Sequence, residues 1–152
     1  MKKLLFLVLL FTASYSVNAQ DLTWYTNLDK AIEVSNQTKR PLMLFFTGSD
    51  WCYWCHRLDG EVFSKSEFTT WAKSNVILVE VDFPRKTTLS AELQAQNNKL
   101  QQFFNIQGFP TVVFVNATKK EGKIVYDKLG TTGYIEGGPA NWLSNANGIL
   151  KK

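Results

Sequence analysis

The residues best able to do chemistry in this 152-residue chain are its only two cysteines, Cys52 and Cys55, separated by Tyr53-Trp54. They can pair only with each other or with a partner's sulfur. A bridge that closes so short a loop constrains the unfolded chain much less than one that closes a long loop, so a purely structural staple is weakly motivated. A dithiol that is oxidised and reduced in turn is the stronger use of the pair. Such chemistry needs a thiolate, because the thiolate rather than the thiol attacks a disulfide. The N-terminus of a helix supplies the means, with free N–H groups and the macrodipole both favouring negative charge. Cys52 is therefore expected to be the nucleophile at a helix start, and Cys55, one turn further in, to resolve the mixed disulfide.

That arrangement needs a rigid strand before the cysteines and a helix after them. Leu42 to Phe46 is an unbroken apolar run between Pro41 and Gly48, the pattern of a strand buried on both faces. Helical spacing then begins at the site, with Cys55, Leu58 and Val62 at i, i+3 and i+7. Elsewhere the pattern predicts a short strand over Leu22 to Tyr25, a helix from about Asn27 to Lys39, and a helical piece over Ser66 to Lys73 carrying Phe68 and Trp71. A strand over Val76 to Val81 comes next. Leu89, Leu93, Leu100 and Phe103 mark a long amphipathic helix whose Gln and Asn face is expected to be solvated. Gly108-Phe109-Pro110 precedes a strand over Thr111 to Val115, and Asn116 to Gly122 is expected to turn the chain into a last strand, Lys123 to Leu129. Trp142, Ala146 and Ile149 or Leu150 mark a closing helix. Alternating strands and helices followed by a hairpin and a helix predict an α/β fold, a mixed central sheet flanked by helices on both faces.

Asp50-Trp51-Cys52-Tyr53-Trp54-Cys55 after that buried strand, with Gly108-Phe109-Pro110-Thr111 downstream, resembles the thioredoxin superfamily over essentially the whole domain. It is most similar to exported thioredoxin-like proteins with a Trp-Cys-x-x-Cys site. The resemblance implies a thioredoxin fold, thiol-disulfide exchange, a cis bond before Pro110, and backbone groups at Phe109 that meet the substrate strand. Two departures matter. The position six residues before Cys52, where the family usually places a buried acid, is Phe46; Asp59, four residues after Cys55, is the expected replacement. Tyr53-Trp54 holds no histidine to favour the thiolate strongly, which points towards a reductase or isomerase rather than a strong oxidant. Trp51, Tyr53 and Trp54 are expected to form an apolar rim for partner proteins, with Trp51 packing beneath the site. His56 is expected to be an exposed bystander.

The start of the chain sets the compartment. Lys2-Lys3, the apolar run Leu4 to Phe11 and Val17-Asn18-Ala19 have the form of a secretory signal peptide, 1–19, ahead of one domain, 20–152. This implies a periplasmic or secreted protein acting on exported proteins with thiols or disulfides, and a membrane or soluble redox partner that recycles it. Without Lys2 and Lys3 the formal charge of +4 falls to +2, and no basic cluster exceeds two residues, which argues against nucleic acid as a partner. No metal or other cofactor is expected. Cys52-Tyr53-Trp54-Cys55-His56 is also a literal haem c attachment sequence, but Met43, inside an apolar strand, is the only methionine past the leader and the pattern is not that of a small helical cytochrome. Zinc lacks the four ligands that a closed site needs. A thioredoxin-fold binding or chaperone-like module with low turnover is the remaining alternative.

Overall fold

The computed structural model describes residues 22–151, so the expected signal peptide, 1–19, lies outside the described residues. Five strands form one sheet: β1 (Trp24–Tyr25), β2 (Leu42–Thr47), β3 (Ile77–Asp82), β4 (Thr111–Lys120) and β5 (Lys123–Thr132), in the order β1-β3-β2-β4-β5. β3 runs parallel to β1 and β2, whereas β4 runs antiparallel to β2 and β5. The sheet is mixed, as the alternating pattern predicts. β2 lies between β3 and β4, and all six of its residues are buried. This is why it reads as an apolar run rather than as an alternation.

Strand alternation divides the core into two layers. Leu42, Leu44 and Phe46 pack with Val79, Val81 and Val113 under α1 (Leu28–Thr38) and α4 (Ala91–Phe103). Met43 and Phe45 pack on the opposite face with Leu78, Val112 and Phe114, under α2 (Tyr53–Leu58), α3 (Ser66–Asn75) and α5 (Gly138–Leu150). The second layer is aromatic at its centre: Trp142 is fully buried, 5.3 Å from Phe63, 5.7 Å from Phe68 and 6.0 Å from Trp71 between ring centroids. Its indole N–H is not orphaned, because it donates to the Gly133 carbonyl at 3.0 Å. Among the described residues, no helix is long and apolar enough to cross a membrane.

Three local expectations need correction. The β4–β5 turn is shorter than Asn116 to Gly122: Asn116 to Lys120 stay paired in β4, and only Glu121 (φ 51°) and Gly122 (φ 76°) turn. Two successive positive φ values match the twist of the flanking strands, so ten-residue strands can run to the tip. The amides of α4 are not all solvated. Asn97 is buried and donates to the Asp82 carbonyl at 2.9 Å, while Gln96 accepts from Leu28 N–H and donates to the Thr26 carbonyl, each at 2.9 Å. Backbone ends of β3 and α1 need partners where α4 covers them, and these amides supply them. Phe103, expected on the core face, is 62 % exposed and lies against Tyr126, 4.8 Å away; Phe104 takes the buried place.

Trp142→Ala is expected to lower the unfolding free energy by about 3–5 kcal/mol, the range for a large aromatic truncated in a packed core. Phe103→Ala is expected to cost under about 1 kcal/mol, since most of its ring is already in water. Urea denaturation of both variants beside the parent chain measures the difference; equal losses would contradict this placement of the core.

Candidate active site

β2 ends at Thr47, and the five residues Gly48 to Cys52 turn the chain into α2. Gly48 is required there because a side chain at this position would run into the Trp51 indole. The Gly48 carbonyl accepts N–H bonds from Trp51 at 3.2 Å and Cys52 at 2.9 Å, which closes the turn. Cys52 is the N-cap residue of α2, in extended conformation, and its Sγ accepts the Cys55 N–H at 3.2 Å. Sulfur thus occupies the place that a Ser or Asp oxygen usually fills at a helix start. The two cysteines are joined as a disulfide, with their Cα atoms 5.2 Å apart, and both are buried.

Beneath and beside the disulfide, Trp51 ties three segments together. Its Nε1 donates to the Phe83 carbonyl at 2.8 Å, and its ring stands edge-on to Phe109, 5.8 Å away. Phe83 and Phe109 are themselves 5.3 Å apart. The segment after β3 and the Phe109-Pro110 segment before β4 are in this way locked to the residue that precedes Cys52. The Phe109–Pro110 peptide bond is cis. Trp51 is half-buried, whereas Tyr53 and Trp54 project outward at 66 % and 48 % exposure, 5.4 Å apart.

Asp59 and His56 are both exposed, and neither makes a hydrogen bond to the sulfurs among the described residues. Asp59 opens a π-helical turn, Asp59–Phe63, that continues α2; its side chain is exposed. His56 is also exposed, and its Nε2 meets the Ser49 carbonyl at 2.7 Å, where only a ring N–H can donate. Phe46, at the position of the missing acid, faces the α1/α4 layer and packs on Phe104, 6.3 Å away.

Several residues of the site escaped the sequence pattern. The π-helical turn, a feature frequent at functional sites, places Glu61 to accept from Tyr134 Oη at 2.5 Å and from Arg57 Nε at 2.7 Å. Arg57 lies 5.2 Å from the Trp54 ring centroid and 5.0 Å from that of Tyr134, which braces the exposed indole. The Tyr134 and Arg57 bonds hold the Glu61 carboxyl below its ordinary pKa. Glu80, the one charged residue within the apolar part of β3, was the signal that could have been read. It sits opposite Phe45, half-buried on the sheet face that carries the cysteines. Burial, followed by the charges of Asp82 and Asp59, pushes its carboxyl pKa up.

The comparisons agree with this geometry. A thioredoxin-like family model matches residues 23–117. The disulfide bond reductase DsbH of Chlamydia pneumoniae is 37 % identical over 135 residues, covering 89 % of this chain and 76 % of that protein. The thioredoxin-related protein DsbJ of the same organism is 24 % identical over 109 residues, covering 72 % of this chain and 31 % of that one. Among solved structures, a DsbH oxidoreductase superposes with a TM-score of 0.77 at 35 % identity, covering 93 % of this chain and 92 % of the other. A thioredoxin from Thermus thermophilus shares the fold, with a TM-score of 0.59 at 19 % identity and coverage of 84 % and 86 %. A helix-capping cysteine, a second cysteine one turn on and this ancestry lead to one conclusion: the chain belongs to the thioredoxin-like family and is a thiol-disulfide oxidoreductase.

Proposed function

We propose that the chain works as a reductase or isomerase of disulfides in exported proteins, with Cys52 as nucleophile and Cys55 as resolving thiol. The observation that carries the assignment is the Cys55 N–H directed at Cys52 Sγ, a donor that stabilises negative charge on that sulfur and not on the other. The Cys52 thiolate attacks one sulfur of the partner's disulfide, and the partner's other sulfur leaves as a thiolate that takes up a proton. Cys55 then gives up its proton and attacks Cys52 Sγ, so that the second partner thiol is released and Cys52–Cys55 is oxidised. A thiol-bearing redox partner, soluble or in the membrane, restores the dithiol. The reducing direction is favoured by the character of the site, where the donor to Cys52 is backbone and Tyr53-Trp54 adds no histidine. It is also favoured by the likeness to a protein named disulfide bond reductase. Export follows from the leader pattern of residues 1–19, and the domain then spans 20–152.

The rim and the platform take the roles that the family resemblance implies. Tyr53 and Trp54 present apolar surface to the partner, Trp51 supports the turn, and the Phe109 backbone beside Pro110 pairs with the partner's strand. The proton lost by Cys55 needs an acceptor, and Phe46 provides none. Asp59, expected from its spacing, takes this role together with Glu80, which lies on the same side of the sheet and feels the Asp59 charge. A carboxyl whose pKa is raised lies closer to that of a thiol and is better matched to exchange a proton with it.

Cys55→Ser is expected to accumulate mixed disulfides with partner proteins and Cys52→Ser to accumulate few, as read on non-reducing gels. The redox potential of the pair, titrated against glutathione, is expected on the reducing side of protein disulfide isomerase. A potential as high as that of the strongest family oxidants would reverse the direction assigned here.

Glu80→Gln and Asp59→Asn are expected to slow the resolving step about tenfold or more and to shift its pH dependence; an unchanged profile in stopped-flow single turnovers would return both carboxylates to a purely structural role. Glu80 also leaves a mark on stability. The fold holds its proton more tightly than the unfolded chain does, so its contribution is fully present below the ordinary glutamate pKa and is lost as pH rises through the raised value. Glu80→Gln should flatten that loss, gaining more stability at pH 7 than at pH 4 in urea denaturation.

A further inference from the structure

The rim around the disulfide is electrically uneven. On the Trp54 side Arg57, the cation that lies against the Trp54 ring, is committed to Glu61, with Nη2 to Oε1 at 2.6 Å. On the Trp51 side, the segment after β3 carries Arg85 and Lys86. Both are exposed, and among the described residues neither forms an ion pair with a carboxylate.

That segment is held in place rather than free to swing. The Asp50 carboxylate accepts the backbone N–H groups of Arg85 at 2.9 Å, Lys86 at 2.7 Å and Thr87 at 3.3 Å. The Arg85 guanidinium carbon then lies 3.8 Å from the centroid of the Trp51 ring, and Trp51 is pinned to Phe83. One cation is thereby stacked on the residue adjacent to Cys52, in a position fixed from two directions. The acids nearby are turned to other partners. Asp50 is occupied by the N–H groups of the segment, and Asp82 accepts from Ser49 N–H at 2.8 Å and Ser49 Oγ at 2.5 Å.

We propose that Arg85, with Lys86 beside it, selects partner polypeptides that carry an acidic side chain within a few residues of the disulfide being exchanged. The proposal rests on the reading that Cys52 and Cys55 exchange disulfides with proteins. An exposed ion pair is ordinarily weak because two long side chains must be ordered to form it. Stacking on Trp51 reduces that cost, since the guanidinium is already in place before the partner arrives. The remaining attraction acts on encounter and orientation, so it discriminates between partners more than it drives the sulfur chemistry. The other flank, with Arg57 neutralised and Tyr53 and Trp54 exposed, meets an apolar stretch of the same polypeptide.

The test uses three disulfide-bonded peptides that differ only in the residues flanking one cysteine: Glu, Gln or Lys. Their second-order rates with the reduced full chain are compared at low and high salt. The Glu peptide is expected to react about two- to fivefold faster than the Gln peptide, and the Lys peptide more slowly, with the spread shrinking at high salt. Arg85→Gln should bring the Glu-to-Gln rate ratio towards one, Arg85→Lys should keep it above one, and Arg85→Glu should invert it. Loosening of Trp51 could slow all three peptides together, but it could not reverse their order. Equal rates for the three peptides in the parent chain, or an unchanged order in Arg85→Glu, would overturn the charge selection alone. Failure to reduce any peptide would overturn the exchange reading as well.

Discussion

A sulfur at the start of a helix keeps a charge-stabilising environment only while the first-turn N–H groups stay pointed at it, and in this protein everything around Cys52 serves that constraint. The Cys55 N–H reaches Cys52 Sγ because the turn from Gly48 to Cys52 is closed by two bonds to a single carbonyl. That carbonyl is fixed because it follows directly on β2, which is buried on both faces and bonded to a strand on either side. Moving the start of the helix by one residue would turn a different N–H towards the sulfur and leave the N-cap unfilled. The precision of the site is thus borrowed from the least exposed strand of the sheet.

Aromatic packing extends this rigidity outward. Trp51 bridges the segments around Phe83 and Phe109, so the cis-proline segment, the segment after β3 and the CxxC turn are packed against one another. On the far side, the π-helical turn redirects Glu61 towards Tyr134 and Arg57, and these in turn support Trp54. Beneath them, Phe63, Phe68, Trp71 and Trp142 fill the layer between the sheet and three helices. Large rings suit such a place because each buries much apolar area with few torsions to freeze.

Charge near the site is sorted by what each group faces. Glu80, half-buried on the cysteine side of the sheet, keeps its proton longer than an ordinary glutamate because burial and two neighbouring acids both oppose ionisation. Asp50 is driven the opposite way, chiefly by the N–H of Arg85 and against a smaller opposing effect of burial, and stays a carboxylate. One carboxyl therefore holds its proton longer than usual, and the other stays ionised and holds a segment in place. The same two physical effects, desolvation and donated hydrogen bonds, produce opposite outcomes within one small region.

Much of the architecture was legible in the residues themselves, because it follows from local and periodic rules. The apolar run from Leu42 to Phe46 reads as a doubly covered strand, the spacing of Cys55, Leu58 and Val62 as a helix face turned to a core, and Cys52 at their junction as the helix start, where the structure has it as the N-cap. Gly108-Phe109-Pro110 likewise marked the break before β4. What the chain order alone could not decide were contacts between segments far apart in sequence. Phe46 leaves its position without an acid, and the half-buried carboxyl on the cysteine face is Glu80 from another strand, because strand register rather than spacing along the chain determines which side chains share a face. Tyr134 meets Glu61 across 73 residues, and only the π-helical turn aims the carboxylate there. Asn97 reads as one more polar residue of a solvated face and is buried, because the carbonyl that it satisfies belongs to Asp82. Arg85 and Lys86 are two surface cations until Asp50 holds their backbone and Arg85 stacks on Trp51, the residue before Cys52. Periodicity reports which face of an element is covered; it carries no information about what covers it, and that depends on the packing of the whole chain.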